Sequence, residues 1–453
     1  MPNLSSGFTS GPFPSTKSDC IPARSARRGR WNTVFRPNTW LSELGASTVT
    51  WQRKTPRLKE RSAPMSTSTT RRDFLTQTAA ATVGGLLGAS RVARALGEES
   101  AVGTPPAVPR WRGFNLLDFF QAMWRPVEGD FVKVEPVPEE DCRLIAELGF
   151  DFVRLPMDYW LWIDSDWPKT KKLRPDDLFK IREATLEKID QSIETCRKYG
   201  LHVNLNFHRA PGYCINDPER EPLSLWKDKA AQEAFVHHWT VFAKRYRGIS
   251  AKELSFNLVN EAPTPRPGYM TAEDYCRIMG QAIEAIRKIS PDRLIFVDGL
   301  NVGTKVVECL ISTGVPQSVH AYYPAQISHY RASWVDRDSK FPEPTWPIKN
   351  PDGSVRIGRQ QLEEHFAPWG ELRRKGIGVH CGETGCFNRT PHNVFLAWME
   401  DVLDILKGHN IGWALWNFRG SFGVLDSGRK DVDYEDFHGH KLDRKLLTLL
   451  QKY

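Results

Sequence analysis

The chain has 453 residues, of which 40% are hydrophobic and 26% charged, enough apolar material for one large core or two moderate ones. Its formal net charge of +8 would suit a polyanion, but residues 1–64 carry 11 Lys+Arg against 3 Asp+Glu, which accounts for all of it. Residues 65–453 are therefore balanced at zero, and nucleic-acid or anionic-membrane binding is not indicated for them.

Taken in chain order, residues 1–64 are rich in Ser, Pro, Thr and Arg without apolar periodicity and are expected to be a disordered basic extension. From Met65 the character changes. Arg71 and Arg72 precede Phe74-Leu75, a mildly apolar run covers Ala79–Ala89, and Ala93-Arg94-Ala95 supplies a small-x-small step. Residues 65–95 thus resemble a twin-arginine export signal. Met65 is then the expected true start, with residues 1–64 lying upstream of it. The apolar run is too short for an ordinary membrane span, and no other span is visible, so no stable membrane insertion is expected. Such a signal predicts a periplasmic or extracellular enzyme that folds before export.

A Pro-rich linker, residues 96–109, leads into residues 110–453, where strand-like and helix-like patterns alternate. Strands are predicted at Trp111–Leu116, Phe152–Pro156, His202–Phe207, Leu254–Val259, Leu294–Val297, Ser318–Tyr322, Ile377–Cys381 and Trp413–Trp416. Amphipathic helices are clearest at Glu183–Tyr199, Ala230–Tyr246, Thr271–Lys288 and Pro391–Lys407. Eight such strands in this length predict a single (β/α)8 TIM barrel with long βα loops. An open doubly wound sheet is the alternative, but it would gather its polar residues at one switch point. Here they follow nearly every strand.

Arg154 sits on the second predicted strand, His208 follows the third, and Asn260-Glu261 closes the fourth. His320 and Tyr322 end the sixth, Glu383 the seventh, and Trp416 the eighth. Ionised carboxylates are costly to desolvate, so Glu261 and Glu383 at strand ends make poor core material. Two of them at one end of a barrel suit a glycosidase, which works with paired carboxyls. The loops after strands carry Trp160, Trp162, Trp167, Tyr213, Trp226, Tyr330, Trp334 and Trp346. Aromatic rings in a cleft stack on the C–H faces of sugars, although loop aromatics can equally pin a loop to the barrel.

The ordered set resembles glycoside hydrolase family 5, the (β/α)8 cellulase family, over about residues 110–450. The motifs are Asn260-Glu261, Gly382-Glu383-Thr384-Gly385, His320-x-Tyr322, Arg154, His208 and Trp416. The resemblance implies Glu261 as acid/base and Glu383 as nucleophile of a retaining hydrolase of β-glucans, cellulase-like, with an oligo- or polysaccharide as its partner. It implies that Arg154 and Tyr322 hold Glu383 ionised, that Asn260 bonds the sugar 2-hydroxyl, and that His208, His320 and Trp416 line the site. A β-mannanase, a β-1,3-glucanase of the same family and a silent carbohydrate-binding barrel are the alternatives. Arg209-Ala-Pro-Gly-Tyr213 departs from the family pattern, as do Cys381 and Cys386 flanking the nucleophile.

No cofactor and no metal is expected, since neither a His-x-His pair on the first strand nor HExxH is present. Seven of the eight cysteines lie beyond the signal, an odd number without CxxC spacing, so no disulfide framework is indicated. Cys142 and Cys196 fall on helical faces as small hydrophobes. A monomer is expected.

Overall fold

The computed structural model of the chain describes residues 108–120, 134–170, 172–216 and 220–453. The basic extension, the export signal and almost all of the linker lie outside the described residues.

Eight parallel strands close into a barrel in the order 1-8-7-6-5-4-3-2. They are β1 (Arg112–Asn115), β2 (Phe152–Asp158), β3 (His202–Arg209), β4 (Leu254–Asn257), β5 (Leu294–Asp298), β6 (Gln317–Ala321), β7 (Val379–Thr384) and β8 (Gly412–Leu415). The TIM barrel is the predicted fold. β7 runs two to three residues later than the apolar pattern suggested, so Glu383 lies within its last turn of pleat and not beyond it. The cause is that Gly382, Glu383 and Thr384 continue the ladder beside β6 and β8 although none is apolar.

β3 shows why polar residues recur in a fully buried strand. Successive side chains alternate across a strand. Val203, Leu205 and Phe207 face outward, where the Phe207 ring stacks on Trp239 with centroids 3.9 Å apart. Asn204, Asn206 and His208 face the barrel axis, where Asn204 Nδ2 donates to Ser255 Oγ and Asn206 Nδ2 to Asn257 Oδ1, at 2.8 and 2.9 Å. An unpaired buried polar group costs about 1–3 kcal/mol, so such residues persist only as a connected network.

The outer layer includes α1 (Glu139–Glu147), α2 (Glu183–Lys198), α3 (Lys229–Arg245), α4 (Ala272–Arg287), α5 (Arg359–Arg374), α6 (His392–Gly408) and α7 (Arg444–Lys452). α4 begins where Thr271 and Asp274 exchange side chain-to-backbone hydrogen bonds, both 3.1 Å, a capping box in which the Thr cap contributes about 1 kcal/mol. Between β5 and β6 no long helix forms among the described residues; a short left-handed turn and the 3-10 segment Glu308–Thr313 take its place. A Cys276–Cys309 disulfide ties that segment to α4. This corrects the expectation of no disulfide, because the 33-residue separation carries no recognisable spacing. Cys142 and Cys196 are buried and unpaired by disulfide, as expected.

The N-terminal mouth of the barrel is plugged by Val108, Trp111, Phe152, Leu294, Phe296 and Ala414. Every polar site residue lies at the other end. Among the described residues no helix is long and apolar enough to cross a membrane.

Candidate active site

Arg154 is the hub. It projects from β2 into the barrel, 1% exposed, and its guanidinium is used on every side. Nη1 donates to Glu383 Oε1 at 2.8 Å and to Asn115 Oδ1 at 2.9 Å, Nη2 to Asn260 Oδ1 at 2.7 Å, and Nε to Asn257 Oδ1 at 3.1 Å. Asn115 in turn donates to the carbonyls of Gly382 and Leu415, which locks the end of β7 against β8. A planar fork of this kind is what a buried carboxylate needs to be held in one orientation.

Glu383 receives a second donor, the Tyr322 hydroxyl, at 3.1 Å from Oε2. His320 lies between the two glutamates: its Nδ1 is 3.0 Å from Glu261 Oε1 and 3.7 Å from Glu383 Oε2. One carboxylate oxygen of Glu261, one of Glu383 and a ring nitrogen of His320 all fall within 4.8 Å of one another. Such a set resembles a metal cage, but the Arg154 cation already occupies Glu383. The His320 ring already has carboxylate oxygens beside both nitrogens, Glu261 on one side and Asp298 on the other.

Glu261 stands just past β4 at φ 47°, an uncommon conformation for a non-glycine residue. Its amide donates to Asp298 Oδ2 at 2.8 Å and its carbonyl accepts from the Tyr213 hydroxyl at 2.6 Å. Tyr213 belongs to the Arg209–Tyr213 segment that departs from the family pattern. A buried Arg209–Glu221 ion pair of 2.7 Å anchors the segment, with the Tyr159 hydroxyl and the Gly212 amide also donating to Glu221. That departure therefore supports Glu261 from behind. Cys381 and Cys386 are both buried, and burial pushes each thiol up, so neither offers a thiolate beside Glu383.

Burial is the largest influence on Glu383 and pushes its carboxyl up to about 7, although His320 and Arg154 pull it down. Arg154 and Tyr322 stand where they favour the ionised form, as expected, and burial works against them. Desolvation outweighs the partners, and the nearby Glu261 and Asp298 add to the rise. Three carboxylates facing two cations leave room for a shared proton.

His208 Nε2 contacts Asn216 Oδ1 at 3.1 Å and Asn260 Nδ2 at 3.4 Å, and its ring packs beside Trp416 with centroids 5.4 Å apart. All eight predicted residues therefore converge on one end of the barrel, joined through Arg154, Asn260, His320 and Trp416. Asp298, Asn115, Asn257 and Tyr213 complete the network and were not foreseen as members of it. Asp298 carried the signal already used for the glutamates, a carboxylate closing an apolar strand.

Most of the loop aromatics prove to be packing. Trp160, Trp162, Trp167, Tyr213, Trp226 and Tyr330 are buried, with Arg209 lying 4.1 Å over the Trp160 ring. Trp346 is half-buried and donates to Asp401. Trp334 alone among them stands out, 40% exposed, edge-on to Phe387 and 6.5 Å from Phe422, which itself neighbours Tyr322.

Comparison with known proteins agrees with this architecture. Residues 118–421 match the model of the cellulase family, glycosyl hydrolase family 5. Endoglucanase C of Acetivibrio thermocellus is 29% identical over 324 residues, covering 66% of this chain and 89% of the relative. Cellodextrinase A of Ruminococcus flavefaciens is 27% identical over 282 residues, 61% of this chain and 76% of its own. A crystal structure of a glycoside hydrolase superposes with a TM-score of 0.69 at 40% identity, covering 76% of this chain and 99% of that one. With the family model spanning most of the barrel, and the site residues in their ordered places on it, the chain belongs to the cellulase family, glycosyl hydrolase family 5, and is a glycoside hydrolase.

Proposed function

We propose that the enzyme hydrolyses β-1,4-linked glucan with retention of configuration, Glu383 acting as nucleophile and Glu261 as acid/base. The observation that carries this reading is the separation of the two carboxylates, whose oxygens come within 4.8 Å. Retaining enzymes hold their carboxyls about 5–5.5 Å apart, whereas inverting ones leave about 6.5–9.5 Å for an intervening water.

The chemistry then runs in two displacements. A Glu383 oxygen attacks the anomeric carbon while Glu261 gives its proton to the departing glycosidic oxygen, forming a glycosyl ester. Glu261, now a base, takes a proton from water, and the hydroxide breaks the ester and regenerates the Glu383 carboxylate. Arg154 and Tyr322 stabilise the charge that returns to Glu383, Asn260 faces the sugar 2-hydroxyl, and Trp416 lies beneath the ring. Trp334 extends the aromatic surface beyond Tyr322 and favours a chain of several sugars over a single one. The names of the relatives, an endoglucanase and a cellodextrinase, point to the same substrate class.

The test is a panel of β-glucans and mannans with product sizing, run on the wild type and on Glu383→Gln and Glu261→Gln. Each variant should lose at least about three orders of magnitude in kcat. With an aryl glycoside whose leaving group needs no proton, Glu261→Gln should keep a first-turnover burst and Glu383→Gln should show none. Retention of more than about a tenth of wild-type turnover by Glu383→Gln would falsify the assignment.

Export through the twin-arginine route is part of the same proposal, supported by Arg71-Arg72, the mild apolar run and Ala93-Arg94-Ala95. Expressed from its own start in a bacterium with that pathway, the enzyme should appear outside the cytoplasm with a mature N-terminus just past Ala95. Arg71→Lys with Arg72→Lys should keep it inside.

A further inference from the structure

Asp298 closes β5, is wholly buried, and has no part in the displacements described above. Its Oδ1 accepts from Asn257 Nδ2 at 2.8 Å, and its Oδ2 accepts from the Glu261 amide at 2.8 Å. The same oxygen lies 3.2 Å from His320 Nε2, an ion-pair contact that is off the line of an ideal hydrogen bond, and 3.9 Å from Arg154 Nη2. A bland account would have Asp298 merely neutralise Arg154. That is the most distant of its contacts, and Arg154 already holds Glu383 at 2.8 Å. Among the described residues, Asp298 is the side chain that contacts both the Glu261 amide and the His320 ring.

The backbone on either side is strained. Glu261 has φ 47°, and three residues after Asp298 the chain enters a left-handed turn through Asn301, Val302 and Gly303 at φ 53°, 59° and 74°. A β-branched residue such as Val302 is a poor occupant of that region, and strained positions cost on the order of 1–3 kcal/mol each. The turn is held by Val302 N–H donating to the carbonyl of Ala262, next to Glu261, at 2.8 Å. It seats Gly303 against His320 so closely that a Cβ there would come 2.8 Å from the ring. Strain gathered round a site is the mark of positions the surroundings over-determine.

The charged groups facing the His320 ring are Asp298 from β5, Glu261 after β4 and Glu383 from β7, with Arg154 of β2 and His208 of β3 standing behind. Nδ1 lies at hydrogen-bond distance from Glu261 and Nε2 faces the Asp298 carboxylate, so carboxyl oxygens beside both nitrogens favour the doubly protonated ring. We propose that Asp298 is a positioning residue, which holds His320 as an imidazolium between the two glutamates and fixes the left-handed backbone of Glu261. This rests on the roles given above to Glu261 and Glu383. Two further directions agree with it. Burial pulls His320 down, yet Glu383 and Asp298 drive it up to about 10. Asp298 is itself buried, yet His320 and Arg154 hold it well below the usual carboxylate range.

The decisive variant is Asp298→Asn, which keeps the shape and can still accept from the Glu261 amide. The oxygen that accepts from the Glu261 amide is also the one facing His320 Nε2, so the variant keeps that contact but removes the negative charge behind it, and the ring should give up its second proton. Glu383 then loses a cation that favours its charged form and also a more remote anion that opposes it. The cation is the stronger of the two influences on Glu383. The expected result is kcat lower by about 10- to 100-fold with KM changed little, and the acid limb of kcat/KM moved to higher pH by roughly one unit. A variant with wild-type kcat and an unmoved limb overturns the proposal. Independently of activity and of folding in the variant, nitrogen NMR of the wild-type His320 ring should show both nitrogens protonated at neutral pH. A neutral ring there also overturns it. A wild type that cleaves no glucan defeats the reading of function and leaves the NMR result to decide the role of Asp298.

Discussion

The two ends of this barrel bury the same side chain and drive it in opposite directions. At the N-terminal end His202 stacks on Trp111 with centroids 3.7 Å apart, and its nitrogens meet the Lys252 carbonyl and the Ser255 hydroxyl. His380 packs beside Phe152 at 4.4 Å. Burial pushes both rings down to about 3. At the C-terminal end His320 is buried just as fully and goes up to about 10. The difference is the neighbours. The lower rings see aromatic faces and neutral acceptors, whereas His320 sees three carboxylates. Burial therefore sets the stakes of a titration, and the charges enclosed with the group set its sign.

Removing charge from the upper end should have the largest effect. Arg154→Met leaves Glu383 without its 2.8 Å partner, strips the Asn115 and Asn260 oxygens of their donor and takes one of two donors from Asn257 Oδ1. Breaking a buried pair on one side costs about 3–5 kcal/mol, which should show as a lower urea midpoint. Turnover should fall by at least about a hundredfold because Glu383 would stay protonated. A variant as stable as the wild type would mean that the cation is not what makes this end differ from the other.

A smaller change tests the same contrast without emptying the site. Tyr322→Phe removes one donor from the charged form of Glu383 and no charge. The free-enzyme acid limb of kcat/KM should lie near the pH of about 7 at which the buried Glu383 ionises, with activity falling below it. Losing a donor to the carboxylate raises its proton affinity, so the limb should move to higher pH, with kcat lower by on the order of tenfold. A limb that moves to lower pH would show that Tyr322 does not favour the ionised form.

Much of this was legible from residues alone, for identifiable reasons. The strands and four of the helices fell within one or two residues of their predicted bounds where apolar periodicity was strong, as at Glu183–Lys198. β7 slipped because its last residues are polar and stay in the ladder through neighbours distant in sequence. The site residues were readable because strand ends of a barrel converge, so sequence order alone places them on one rim. The role of the loop tryptophans was not readable. Composition cannot tell a ring that stacks on sugar from one that anchors a loop, and Trp160 became the latter because Arg209 and Trp167 enclose it. The elevation of Glu383 was hidden too, because it depends on how completely the strands exclude water.

The smallest effect on activity should come from the lower end, and it has a sign of its own. A His held down to about 3 inside the fold ionises far more readily in the unfolded chain, near its ordinary 6.5. The unfolded state then binds the extra proton, so the stability His380 leaves intact above 6.5 is lost as the pH falls toward 3. His380→Leu removes that liability and replaces a ring whose Nε2 has no partner with an apolar side chain. Near pH 8 the swap should change stability by less than about 1.5 kcal/mol. At pH 4 the variant should gain roughly 3 kcal/mol over the wild type, the free energy of the about two and a half units between that pH and 6.5. Turnover at neutral pH should stay within about twofold, since His380 lies beneath the network and touches neither glutamate. Thermal melts at the two pH values give the comparison directly. If the gain appears at pH 8 and not at pH 4, packing governs this ring, and proton exclusion does not separate the two ends of the barrel.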